Sequence, residues 1–105
     1  MPDYNTVESK INDIEAEMKR IGYWHGEPLP SEMYHFTQAF ALDTMPFVYW
    51  LEFVFIPRVR SIIAEQGQFP SSSMVGTQAI REFDGDHDAS GLVRMLCEFD
   101  DLFER

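Results

Sequence analysis

Cysteine is almost absent. Cys97 is the one thiol among 105 residues, which excludes an internal disulfide framework and any CxxC metal or redox motif. Basic residues are also scarce, 8 Lys and Arg against 18 Asp and Glu, for a formal net charge of −10. Nucleic-acid affinity comes largely from basic side chains displacing phosphate counterions, so direct tRNA or DNA binding by this chain alone is not expected. No apolar run approaches the ~20 residues of a membrane-spanning helix; the longest is broken by Glu52 and Arg58. Met1-Pro2-Asp3-Tyr4 lacks the basic, then apolar, pattern of a signal peptide, and the expected compartment is the cytoplasm. HExxH motifs, glycine-rich phosphate loops and nucleophile elbows are missing as well.

What the chain has is a sorted charge distribution and a high aromatic content of 14%. Residues 1–45 and 76–105 each carry eight acids and three bases, and residues 46–75 carry two of each. A neutral, apolar middle is therefore flanked by two acidic ends. Residues 1–105 read as one domain.

Val7, Ile11, Ile14, Met18 and Ile21 recur at i, i+4, i+7, i+11 and i+14, one face of a helix. Asp3 or Asn5 can cap it, Glu15–Lys19 is a favourable i,i+4 pair, and Gly22 is the expected left-handed stop. Its acids read as a solvated face. Residues 23–43 form a long connection containing Pro28 and Pro30, with Trp24, Met33, Tyr34, Phe36 and Phe40 as candidate anchors. A second helix is expected over Met45–Ala64, capped by Asp43-Thr44, with Pro46 in its first turn, a kink near Phe53–Pro57 caused by Pro57 and a stop at Gly67. A short helix over Met74–Phe83, with Ala79, Ile80 and Phe83 inward, and a last helix carrying Leu92, Leu96, Phe99 and Phe103 complete the set. The expected fold is all-α, a small four-helix bundle with one short helix and a Pro-kinked central helix.

Candidate chemistry fails on spacing. Asp84, Asp86 and Asp88 alternate like the start of a calcium loop, but Ala89 and Met95 stand where a glycine and a bidentate glutamate are required. A helix cap by Asp86 or Asp88 explains these acids. His25 and His35 share a loop with Glu27 and Glu32, which makes a ligand- or metal-binding module at Trp24–Phe40 an alternative, yet no ligand spacing supports a metal. Cys97 lies beside the core face of the last helix and reads as a small buried hydrophobe. No catalytic residue, cofactor or metal is expected.

The central helix is the unusual element, apolar nearly all the way round. Such a helix is either wholly buried or faces a partner. If part of it is exposed, Phe47, Trp50, Leu51, Val54, Pro57 and Arg58 form the candidate surface for a protein partner or a second copy.

The same helix carries a resemblance. Phe40-x-x-Asp43-Thr44-Met45 followed by Trp50-Leu51-x-x-Val54-x-Ile56-Pro57-Arg58, with Trp24-x-x-Glu27-Pro28-x-Pro30 upstream and Asp100-Asp101-Leu102-Phe103 at the end, resembles the YqcC-like family of small bacterial proteins. Tyr49 departs from it, since the family usually places an acid before the tryptophan. The resemblance implies an all-α bundle and an association with tRNA pseudouridine synthase C, the enzyme whose label the family carries. Pseudouridine synthases use an aspartate nucleophile on a larger mixed α/β fold with a basic RNA cleft, and no aspartate here matches their motif. The expected function is thus a non-catalytic accessory or interaction domain linked to RNA modification; the alternative is that the chain is itself such a synthase or a catalytic piece of one.

Overall fold

The structure, a computed structural model, describes residues 3–27 and 45–103. Helix α1 runs Tyr4–Arg20, opened by the Asp3 carboxylate, which accepts the Thr6 N–H at 2.7 Å. It closes on Gly22 at φ +80°, where the Tyr23 N–H reaches back to the Met18 carbonyl at 2.8 Å. Only a residue without Cβ adopts that left-handed turn without strain. Val7, Ile11, Ile14 and Met18 are fully buried, each contributing about 1.5–3 kcal/mol relative to exposure. Four of the five expected inward positions of α1 are therefore its core stripe, and the fifth, Ile21, is its half-buried C-cap.

The central element is one continuous helical path in three parts: α2 over Phe47–Trp50, a π-helical turn over Leu51–Phe55, and α3 over Ile56–Glu65. At the place of the kink expected near Phe53–Pro57 the helix has that π turn. The Ile56 N–H bonds to the Leu51 carbonyl, five residues back, and Pro57 follows within the first turn of α3. A proline there gives up a donor and pushes away the carbonyl below it; the wider turn just upstream accommodates both demands. The helix starts later than expected, because Pro46 is its N-cap instead of a first-turn residue. The expected Asp43-Thr44 cap lies outside the described residues. Its stop also moves. Gln66, at φ +52°, is the left-handed residue, and Gly67 donates its N–H to Ile62 O at 2.8 Å.

Helix α4 spans Val75–Glu82 and α5 spans Ser90–Asp101, joined through a short 3₁₀ turn at His87–Ala89. Helix α5 packs on both α1 and α4, and α1 also packs on α3. Leu92, Leu96, Phe99 and Phe103 form the inward face of α5 and its end, as their spacing predicts. On α4 the inner side is Val75, Gly76 and Ala79, followed by Phe83, whereas Ile80, expected inward, is 57% exposed. The buried face of α4 is centred between Val75, Gly76, Ala79 and Phe83, and at about 100° per residue Ile80 lies about 85° round the helix from that centre. The described elements are all helical, arranged as four helices when α2, the π turn and α3 are counted as one.

Aromatic rings tie these helices together. Phe83 meets Phe47, Phe47 stacks on Trp50, Trp50 on Phe55, and Phe55 meets Phe99 edge-on at 5.1 Å. Phe99, Phe103, Phe69 and Tyr4 continue the chain to the start of α1. Such pairs add about 0.5–1.5 kcal/mol each beyond burial. No helix among the described residues is long and apolar enough to cross a membrane.

Candidate functional site

Trp50 and Phe55 are five residues apart, a separation that in an α-helix places side chains about 140° apart around the axis. The π turn removes most of that offset. The two rings stack, 5.6 Å between centroids with planes 25° apart. Both face a pocket of about 180 Å³ between the central helix, the turn at residues 69–73 and the end of α5. Val59 and Ile62 continue its wall along α3, and Phe69, Phe99 and Phe103 close the far side. Ser72 and Ser73 stand at the edge, where Ser73 donates its hydroxyl proton to the Asp100 carboxylate at 2.6 Å.

Arg58 lines the same pocket from its exposed rim. It makes no ion pair among the described residues. Lys10 is paired with Glu98, Lys19 and Arg60 with Glu15, and Arg20 with Glu17; Arg81 and Arg94, like Arg58, make no ion pair among the described residues. Arg60, two residues beyond Arg58, points to the opposite side of α3 and also bonds Asn12 at 3.0 Å. Pro57 and Arg58 are the exposed members of the expected partner surface. Phe47, Trp50, Leu51 and Val54 are at most 8% exposed and belong to the core. Four of the six residues of the expected strip thus belong to the core, while Val48, Tyr49, Phe53, Ile62 and Ile63 of the same helix are half-buried.

Three carboxylates among the described residues are buried, and the spacing of the sequence flagged none of them. Glu52 accepts the N–H groups of His25 and Gly26 at 2.6 and 2.7 Å, anchoring the segment that follows α1. Asp100 accepts the N–H groups of Val75 and Gly76 at 3.0 and 2.8 Å, so α5 caps α4 across the fold. Glu17, expected on a solvated face, is buried and holds Arg20 through two hydrogen bonds of 2.6–2.7 Å. Those bonds hold its carboxyl below the usual range. Gly91 makes room for it, because a Cβ there would stand 2.8 Å from a Glu17 oxygen. No buried side-chain polar atom among the described residues lacks a partner. These carboxylates are occupied by backbone and side-chain donors, which suits structural roles.

Asp86 does not cap the last helix, which carries no side-chain cap; its carboxylate instead accepts a hydrogen bond from the Tyr23 hydroxyl. That bond, with burial, pushes the Tyr23 phenol up to about 12. Cys97 is half-buried, and burial raises its thiol pKa, the opposite of what a nucleophile needs. His25 is exposed, its ring edge-on to Tyr49 at 5.2 Å. His35, Glu32 and most of the Trp24–Phe40 module lie outside the described residues. Among the described residues no three His, Cys, Asp or Glu side chains form a metal-binding group.

Comparison with known proteins places this arrangement. The family described as tRNA pseudouridine synthase C matches residues 6–102. A Pectobacterium carotovorum protein named tRNA pseudouridine synthase C is 32% identical over 68 residues, covering 65% of this chain but 18% of that protein. The chain therefore spans under a fifth of that relative's length. YqcC of Escherichia coli, described as uncharacterised, is 24% identical over 97% of this chain and 92% of its own length. An uncharacterised Haemophilus influenzae protein is 24% identical over 75% of this chain and 77% of its own. The solution NMR structure of E. coli YqcC superposes with a TM-score of 0.84 at 25% identity, over 98% of this chain and 89% of that one.

Proposed function

The chain belongs to the family described as tRNA pseudouridine synthase C, and on that footing we propose that it is a non-catalytic accessory domain binding the synthase whose name the family carries. One observation carries the reading. In Pectobacterium carotovorum, a segment similar to this chain makes up 18% of a protein bearing the synthase name, so most of that polypeptide is something else. Joining two units in one chain holds them at a high effective concentration. Where they are separate chains, a surface contact has to do the same work.

The charge supports a partner of opposite sign. A net charge of −10 repels RNA directly but steers a basic RNA-modifying enzyme toward the chain. Such a protein would work in the cytoplasm, where tRNA is modified. The buried carboxylates are all engaged in holding the fold, which favours an accessory role over catalysis.

The test mixes the purified chain with the tRNA pseudouridine synthase C of its own organism at low and high salt. The expected result is a complex at micromolar concentration whose affinity falls about tenfold as salt screens exposed charge. Failure to associate at low salt overturns the proposal. So does pseudouridine formation on unmodified tRNA by the purified chain alone, which would make the chain itself the enzyme.

A further inference from the structure

The pocket beside Arg58 is a preformed space with one kind of chemistry inside and another at its rim. Its walls are the stacked rings of Trp50 and Phe55, with Phe69, Phe99, Phe103 and Val59 around them. At about 180 Å³ it is close in size to the ~150 Å³ apolar cavities that take up benzene, but it opens to solvent on one side. Water against the rings gains little, because it needs two to four polar partners and the polar groups, Arg58, Ser72 and Ser73, stand at the edge. One ring, or a chain of six to eight carbons, is the matching occupant.

The walls are held in place before any ligand arrives. Asp100 grips Ser73, Val75 and Gly76 and so pins the end of the segment that forms one side. Phe69 is wedged between Tyr4 and Phe103. A preformed site avoids the ordering cost that weakens binding. The π turn that rotates Trp50 over Phe55 is a further pointer, because such turns occur frequently at functional sites.

The rim decides the ligand's polar end. Arg58 is exposed on the pocket and has no carboxylate partner among the described residues. A guanidinium forms two parallel hydrogen bonds to a carboxylate. The net charge of the chain, −10, opposes phosphates and dicarboxylates more than a singly charged acid, because their extra charges exceed what one arginine offsets. We propose that this pocket binds a small apolar monocarboxylate, its ring or chain among Trp50, Phe55 and Phe103 and its carboxylate on Arg58. The proposal is independent of any protein partner.

The test titrates octanoate and phenylacetate into the full chain, with octanol and inorganic phosphate as controls, followed by amide NMR shifts. Expected are saturable shifts at residues 55–59, 69–73 and 103 with an affinity on the order of 0.1–1 mM, the range for a ligand of about ten heavy atoms. Arg58→Gln is expected to weaken octanoate about tenfold, to leave octanol unchanged and, being at an exposed position, to preserve the melting temperature. Phosphate is expected to leave these residues unshifted. A pocket-filling Val59→Phe should abolish binding of both octanoate and octanol. Absence of saturable shifts for either carboxylate overturns the proposal, as does equal octanoate affinity in wild type and Arg58→Gln. Tighter binding of phosphate than of octanoate would also overturn it.

Discussion

Gly76 rests directly on the backbone of Cys97: a Cβ at position 76 would stand 2.6 Å from the Cys97 Cα and 2.7 Å from its nitrogen. Backbone atoms of a packed helix cannot move aside as a side-chain tip can. Gly76→Ala is therefore expected to destabilise the chain by about 1–3 kcal/mol by overpacking, despite alanine's better helix propensity. Urea unfolding checks this, with exposed Thr77→Ala on the same helix expected within about 0.5 kcal/mol of wild type.

Asp100 holds the same crossing from the other side. Replacing it with alanine leaves two buried N–H groups of α4 without acceptors, at a cost of about 2–4 kcal/mol. Asp100→Asn keeps an oxygen for Val75 but turns an NH₂ toward the Gly76 N–H, so an intermediate loss is expected. Hydrogen exchange at Val75 and Gly76 should quicken in both variants relative to amides in α1.

Stability should decline at both ends of the pH scale. The Tyr23 phenol is raised to about 12, above its unfolded value, so its contribution is complete below about pH 10 and is lost as pH rises through 12. Wild type is expected to melt above Tyr23→Phe at pH 8, with the gap closing by pH 12. On the acid side, burial opposes ionisation of Glu15, but hydrogen bonds from Lys19 and Arg60 outweigh it and lower its pKa. Its contribution is present above about pH 4.5 and fades as pH falls through the lower folded value. Arg60→Gln should flatten that acid limb in thermal melts.

Gln66 occupies a left-handed conformation at φ +52°, which strains a residue bearing a Cβ by about 1–2 kcal/mol. Gln66→Gly relieves the strain at some cost in unfolded-chain freedom. A net gain of about 0.5–1 kcal/mol is expected, and a fall in melting temperature would contradict it.

How much of this could be read beforehand depended on range. Val7, Ile11, Ile14 and Met18 announced α1, and Gly22 announced its end, because helical periodicity and caps are local rules. Leu92, Leu96, Phe99 and Phe103 did the same for α5. Gly67 misled by one residue, since a sequence cannot say which of two neighbours takes the left-handed turn. The pocket was half visible: Arg58 and Trp50 stood in the expected surface, but Phe69 and Phe103 are distant in sequence and join it only by packing.

The chain by itself determined its all-helical character, its acidic ends and the break in its central helix, because each follows from residues within a turn or two of one another. Tertiary structure alone decided which face of that helix is buried. It also decided that Asp100 caps α4 and that Glu52 anchors the residues after α1. Most of all, it decided that Arg58 stands over an apolar pocket. The donors that meet a carboxylate and the pocket beneath a guanidinium are properties of neighbours brought together by folding, and the spacing of a single strand of sequence does not encode them.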